Sequence, residues 1–274
     1  MTYNAAMYRP PIVPSKHSRF WTPGYAKPVI LATVVLLAQI LTLPLSSSLS
    51  QAADTAARTT AIRLAVASNF RVAAEELGRS FTANTGISVE ISSGATGVLT
   101  AQLRRGAPFD VLLAADRERP QSLVDDGSSP APARCYAQGS LVLLGADSLS
   151  ALADIQKSVA IANPRSAPYG MAARAVLERK EFATAGERRV IQGSNVQQAM
   201  QFFNSGGADL ALVARSLSPT RGLAIPKEWH PPIEQYAVLN GRSSHLEQAR
   251  AFLDYLQSPA AIDVLSSFGY QPCS

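Results

Sequence analysis

A chain of 274 residues, 47% hydrophobic and 16% charged, holds enough apolar sequence for one large or two small domains with real cores. Its formal charge of +5 belongs to the N-terminus, because Arg9, Lys16, Arg19 and Lys27 all precede the first acidic residue and leave 21 Lys and Arg against 20 Asp and Glu. A body so nearly neutral, with no basic stripe interleaved with aromatics, lacks the electrostatic footprint of a nucleic-acid partner.

Residues 1–52 read as a cleaved signal peptide. The four basic residues lead an apolar run from Val29 to Leu45, and small residues follow as far as Ser50-Gln51-Ala52, which suits a signal-peptidase site. A retained membrane anchor is the alternative, but the run is short for a span and contains Gln39 and Pro44. No Cys lies near the cleavage region and no Arg pair precedes the run. Sec export to the periplasm as a non-lipidated protein is therefore expected.

Beyond the leader, short apolar runs alternate with amphipathic stretches. Ile62 to Ala67 is a strand, and Phe70 to Asn84 is a helix with Phe70, Ala73, Ala74, Leu77 and Phe81 on one face and Gly86 as its left-handed end. A strand over Ile87–Ile91, a helix over Val98–Arg105 and a strand over Asp110–Ala115 follow. Ser128, Ser129, Pro130 and Pro132 mark a break. A second series then starts with strands at Ser140–Leu144 and Ser158–Ala162 and a helix over Met171–Lys180. It continues with a strand near Val190, a helix over Val196–Asn204 and a strand over Leu210–Ala214. Pro219 to Pro232 is a loop-rich return to a last strand, Tyr236–Leu239, and two closing helices over Leu246–Gln257 and Ala260–Phe268. This order predicts an α/β protein of two lobes, each a mostly parallel sheet flanked by helices. The expected divisions are residues 53–139 for the first lobe, 140–235 for the second, and 236–274 returning to the first.

Cys135 and Cys273 match no zinc spacing. In an oxidising compartment the favoured reading is a disulfide that staples the C-terminus to the body, although sequence does not supply the Cα separation such a bond requires.

Small polar residues gather at four strand-to-helix junctions: Ser68-Asn69, Ser92 through Gly97, Pro168-Tyr169-Gly170, and Gly193 through Val196. Taken singly, each is accounted for by N-capping. Taken together they describe something else, because ligands of open α/β sheets bind beyond the carboxyl ends of strands, where helix N-termini direct amides and a positive dipole end outward. Four such ends around one cleft make an anion site of neutral donors. Catalytic readings are weak. Only His230 and His245 lie beyond the leader, no H-E-x-x-H, G-x-S-x-G or Gly-Lys-Ser/Thr motif occurs, and Asp110 and Asp116 suit turns at strand ends.

Ala65 through Phe70, Ser93 through Gly97, Gly106 through Val111 and Ala114-Ala115-Asp116 resemble the periplasmic molybdate-binding proteins of ABC transporters. The ending, Phe252 through Leu256 and Phe268-Gly269-Tyr270, is similar to that family's closing helices. The resemblance implies a type II periplasmic-binding fold, a molybdate or tungstate ligand between the lobes, a membrane permease as partner, and a monomer without enzymatic activity, cofactor or direct metal ligands. Carried over by position, it implies hydroxyl and amide donors from Ser68 and Thr96, backbone amides from Tyr169 and Val196, and Asn69 as an additional donor. Many relatives place a ligand-contacting Tyr where this chain has Ala214, so the resemblance is to the subgroup that uses the Asn. Another oxyanion such as sulfate, or another small solute, is the alternative within the same fold. An exported hydrolase is the alternative from another class, and it has no nucleophile–base pair to support it.

Overall fold

The computed structural model describes residues 61–183 and 188–273; the expected leader, residues 1–52, lies outside them. Two five-stranded sheets organise these residues. The first takes β1 (Ala61–Ala67), β2 (Ser88–Gly94), β3 (Val111–Ala114), β4 (Arg134–Gln138) and β10 (Glu234–Leu239) in the order β2-β1-β3-β10-β4. The second takes β5 (Leu141–Leu144), β6 (Val159–Ala162), β7 (Val190–Gly193), β8 (Leu210–Ala214) and β9 (Leu223–Ala224) in the order β7-β6-β8-β5-β9. In the first sheet β1 runs parallel to β2 and β3, and β10 is antiparallel to both its neighbours. The second repeats this plan, with β6 parallel to β7 and β8 and with β5 as the reversed strand. The expected two-lobed α/β architecture is the one observed, but each sheet is mixed, with two parallel and two antiparallel strand pairs.

Composition explains why the central strands sit where they do. Leu64, Val66, Val111, Leu113, Ala237 and Leu239 enter one core, whereas their alternates Ala65, Leu112, Ala114 and Val238 enter another on the opposite face. A strand covered on both faces must be apolar at every position, unlike a half-buried strand with period two. Helix α1 (Arg71–Thr85) covers the first face with Ala73, Ala74, Leu77 and Phe81, beside Phe252 of α6 (Leu246–Tyr255) and Leu265 of α7 (Pro259–Ser267). Leu99 and Leu103 of α2 (Thr96–Arg104) and Leu123 of α3 (Glu118–Asp125) cover the second. In the other sheet, β5, β6 and β8 pack against Ala172, Ala173 and Val176 of α4 (Pro168–Leu177) and Ala199 of α5 (Val196–Asn204).

The chain crosses between sheets twice, at Gly139–Ser140 and again through the segment that ends at Ile233, and the Gly139 N–H donates to the Ile233 carbonyl at 2.8 Å. Cys135 and Cys273 form a disulfide with a Cα separation of 6.2 Å, and Gln138 pairs with Gln271 beside it. The C-terminus is thereby fastened to β4.

Three details differ from the sequence expectation. Helix α3 was not among the expected elements. Pro120 is tolerated because it lies in the first turn, where amides lack helical partners anyway. Strand β4 falls next to the expected break; it pairs with β10 and, at Gln138, with Gln271, so its signal is tertiary. Helices α2 and α4 begin at Thr96 and Pro168, earlier than the expected Val98 and Met171.

Candidate functional site

At the end of β1 the chain turns tightly. The Ser68 N–H donates to the Gly94 carbonyl (2.9 Å) and the Phe70 N–H to the Ala67 carbonyl (2.8 Å). Among the described residues, neither the Asn69 N–H nor the Ser68 hydroxyl has a hydrogen-bond partner, although both residues are buried. Ser68 is also not a helix cap, since α1 starts after Phe70 without a side-chain cap.

Three helix starts complete the set. Helices α2 and α4 follow Ala95 and Ala167, which provide no capping side chain. The Thr96 and Tyr169 N–H groups therefore have no partner among the described residues. The Thr96 hydroxyl oxygen accepts the Ala115 N–H at 3.1 Å, which leaves its own hydrogen to donate elsewhere. At α5, Asn195 is a real cap, its side chain accepting the Gln198 N–H at 3.0 Å. The Val196 N–H, one step earlier, has no partner among the described residues. N-capping thus accounts for one of these helix starts and not for the other two. Buried helix starts without caps place their orphan amides at the disposal of water or a ligand.

These groups converge. Ser68, Asn69, Thr96, Tyr169 and Val196, the five residues expected from sequence, line one small cavity together with Ala67, Gly94, Ala95, Ala115, Ala167 and Pro168. No lining residue carries a formal charge, and the N-terminal ends of α2, α4 and α5 supply the only positive field from the walls themselves. A wider groove between α1 and β2 is lined by Glu75, Arg79, Thr82 and Val89 among others, and no helix start opens into it.

A family model described as bacterial extracellular solute-binding protein matches residues 62–271. The chain belongs to that family. Within it, the molybdate-binding protein ModA of Azotobacter vinelandii is 36% identical over 230 residues, covering 78% of this chain and 91% of the relative. The ModA protein of Rhodobacter capsulatus is 36% identical over 217 residues, covering 75% and 86%. The solved structure of the Azotobacter vinelandii periplasmic molybdate-binding protein superposes with a TM-score of 0.71 at 30% identity, covering 78% of this chain and all of that one. The resemblance drawn from the sequence motifs is thus a resemblance over most of the chain, and these relatives are solute-binding proteins rather than enzymes.

In this solute-binding protein the two lobes meet around the cavity. Ala67, Ala95 and Ala115 of the first lobe pack into the core of the second. The Gly97 N–H donates to the Ser166 carbonyl at 2.9 Å, joining the turn that bears Thr96 to the segment before Tyr169. Asn69 is held from several sides. Its side-chain amide donates to Gln235 Oε1 (2.8 Å) and to the Tyr270 hydroxyl (2.9 Å), so both amide hydrogens are engaged within the protein. Its carbonyl accepts from the Tyr270 hydroxyl (3.0 Å) and from Ser216 Oγ (2.8 Å). Ser216, Gln235 and Tyr270 were not legible from sequence, lying 147, 166 and 201 residues from Asn69.

Tyr169 contributes a main-chain amide, while its side chain runs toward the crossing segment. A Cβ at Gly139 would lie 2.1 Å from its hydroxyl oxygen, so only glycine leaves room there. Burial first, and the Tyr270 phenol second, push the Tyr169 hydroxyl well above its ordinary pKa against a smaller pull from Asn69. It is neutral wherever the protein is folded at ordinary pH. Ala214, the position that the resemblance compares with a ligand-contacting Tyr, is fully buried in β8 and does not line the cavity.

The other titratable candidates lie elsewhere. Asp110 accepts from the Arg63 N–H (2.7 Å) and the Ser243 hydroxyl, and Asp116 caps the Arg119 N–H (2.9 Å) and pairs with its guanidinium. Both act at turns, as expected. His230 contacts the Pro231 carbonyl and His245 lies 3.4 Å from Asp110; neither borders the cavity.

Proposed function

We propose that this solute-binding protein captures a tetrahedral dianion, molybdate or tungstate, in the periplasm and delivers it to the membrane permease of an ABC transporter. It works as a monomer, without catalysis, after removal of the leader at residues 1–52. The lobes of residues 53–139 with 236–274 and of residues 140–235 close on the ion. The observation that carries this reading is the convergence of unpartnered donors in one small uncharged cavity.

Hydroxyls of Ser68 and Thr96 and amides of Asn69, Thr96, Tyr169 and Val196 bind the ion's oxygens, and three helix dipoles offset its charge. Bonds to a charged acceptor contribute about 1.5–3 kcal/mol each, so tight binding needs no Arg or Lys. The same donors select against hydrogen phosphate. Its O–H would face a lining with no carboxylate to accept it, and a buried bond left unmade there costs about 1–3 kcal/mol. The relatives named for molybdate support the choice of ion.

Isothermal titration of the mature protein with molybdate, tungstate, sulfate and phosphate tests the proposal. Tight binding of the two metal oxyanions and none of phosphate is the expected result. No heat with either metal oxyanion at micromolar protein overturns it, and sulfate bound in preference to both reassigns the solute.

A further inference from the structure

Two hydrogen bonds among those described join a turn that bears a first-lobe donor to segments that flank strands of the second sheet. One is main chain to main chain, from Gly97, next to Thr96, to Ser166. The other is the Ser216 hydroxyl donating to the Asn69 carbonyl, next to Ser68, at 2.8 Å. Ser216 follows β8 in a short turn of 3-10 helix, Arg215–Leu217, and is buried. Arg215 beside it packs against Gly269, where an added Cβ would meet Arg215 Cγ at 2.6 Å. The second lobe therefore seats this turn directly on the first lobe's C-terminal segment.

We infer that Ser216 is a positioning residue for the oxyanion, the side-chain half of a clasp that closure makes across the lobes. It does not line the cavity, so its effect passes through the Ser68–Asn69 turn. A carbonyl oxygen has two lone pairs. On Asn69 one is taken from within the first lobe by Tyr270 and the other from the second lobe by Ser216. With both in place, the peptide between Asn69 and Phe70 cannot rotate without breaking a buried bond. The turn is then held with the Asn69 N–H and the Ser68 hydroxyl directed for the ion. The stretch after β8 thereby serves the site without touching the ligand.

This inference rests on the oxyanion reading, and its test separates the two. Titration and competition-release measurements with molybdate are made on the wild type, Ser216→Ala and Ser216→Thr, with the melting temperature of each recorded without ligand. Ser216→Ala is expected to weaken binding by about fivefold to tenfold, the range of one hydrogen bond. The loss should appear mainly as faster release, with the ligand-free melting temperature unchanged, and Ser216→Thr should restore most of the affinity. Wild-type affinity and release in Ser216→Ala overturn the clasp alone. A ligand-free melting temperature that falls in step with the affinity assigns Ser216 to packing and also overturns it. A wild type that binds neither molybdate nor tungstate overturns the transport reading and the clasp together.

Discussion

The first lobe lines the cavity with Ser68 and Thr96, whose hydroxyls add to main-chain N–H groups, whereas the second lobe offers Tyr169 and Val196, whose contribution there is main chain at the starts of α4 and α5. Both halves are neutral, and both lie at the carboxyl ends of strands. They differ in what holds a donor in place. A hydroxyl depends on the identity of one side chain. A main-chain amide depends on where its helix sits, and so on the glycines and alanines that let the helix approach the sheet. The first half should be sensitive to deletion of a side chain, and the second to its enlargement.

The largest expected effect tests the first half. Ser68→Ala combined with Thr96→Ala removes two bonds to a charged group, and at about 1.5–3 kcal/mol each the affinity should fall by roughly 10²–10⁴-fold. Unchanged affinity by titration would place the site elsewhere. Next comes Gly170→Ala in the second half. Its Cβ would lie 2.4 Å from the Ala162 carbonyl oxygen and 2.8 Å from two main-chain carbons. Helix α4 must lift from β6, costing about 1–3 kcal/mol of stability and drawing the Tyr169 N–H out of register. Melting temperature and molybdate affinity should both drop, and a variant that loses stability but binds as the wild type would remove Tyr169 from the site. Val196→Ala is the counterpart. It deletes buried methyls but keeps the N–H, so affinity should change by less than about threefold, whatever the loss in stability.

The smallest effect expected is that of pH. Tyr169 is the only titratable side chain in the lining, and burial holds its hydroxyl above the ordinary tyrosine range. Raising that pKa keeps the phenol neutral through and beyond the interval in which a free tyrosine ionises. Affinity for an oxyanion that stays fully ionised should therefore be flat from about pH 6 to pH 9. A step centred near about pH 6.5 would bring a histidine into the site and end the picture of a neutral cradle.

The residues that line the cavity were legible in the sequence, and for a specific reason. Ser68, Thr96, Tyr169 and Val196 each stand at or just before a helix start that follows a strand. Local periodicity locates such junctions, and parallel topology brings the carboxyl ends of neighbouring strands to one edge of a sheet. The capping alternative could not be settled from sequence, because a Ser or Thr near a helix start reads the same whether it caps or not. Geometry separated the cases, with Asn195 capping α5 while Ala95 and Ala167 leave α2 and α4 uncapped.

Asn69 shows where legibility stops. Its identity and its place beside Ser68 mark it as a donor, yet its amide hydrogens go to Gln235 and Tyr270, and its carbonyl is shared by Tyr270 and Ser216. Strand β4 is similar, held by β10 and Gln271 from the far end of the chain. By itself the sequence determined the alternation of strands and helices, the two lobes and the row of neutral donors, because these follow from local pattern and from which residues flank each strand. Tertiary structure alone decided which polar groups are free for a ligand and which are engaged by the protein. Hydrogen-bond partners contributed by distant segments are set when the lobes meet, and no local pattern records them.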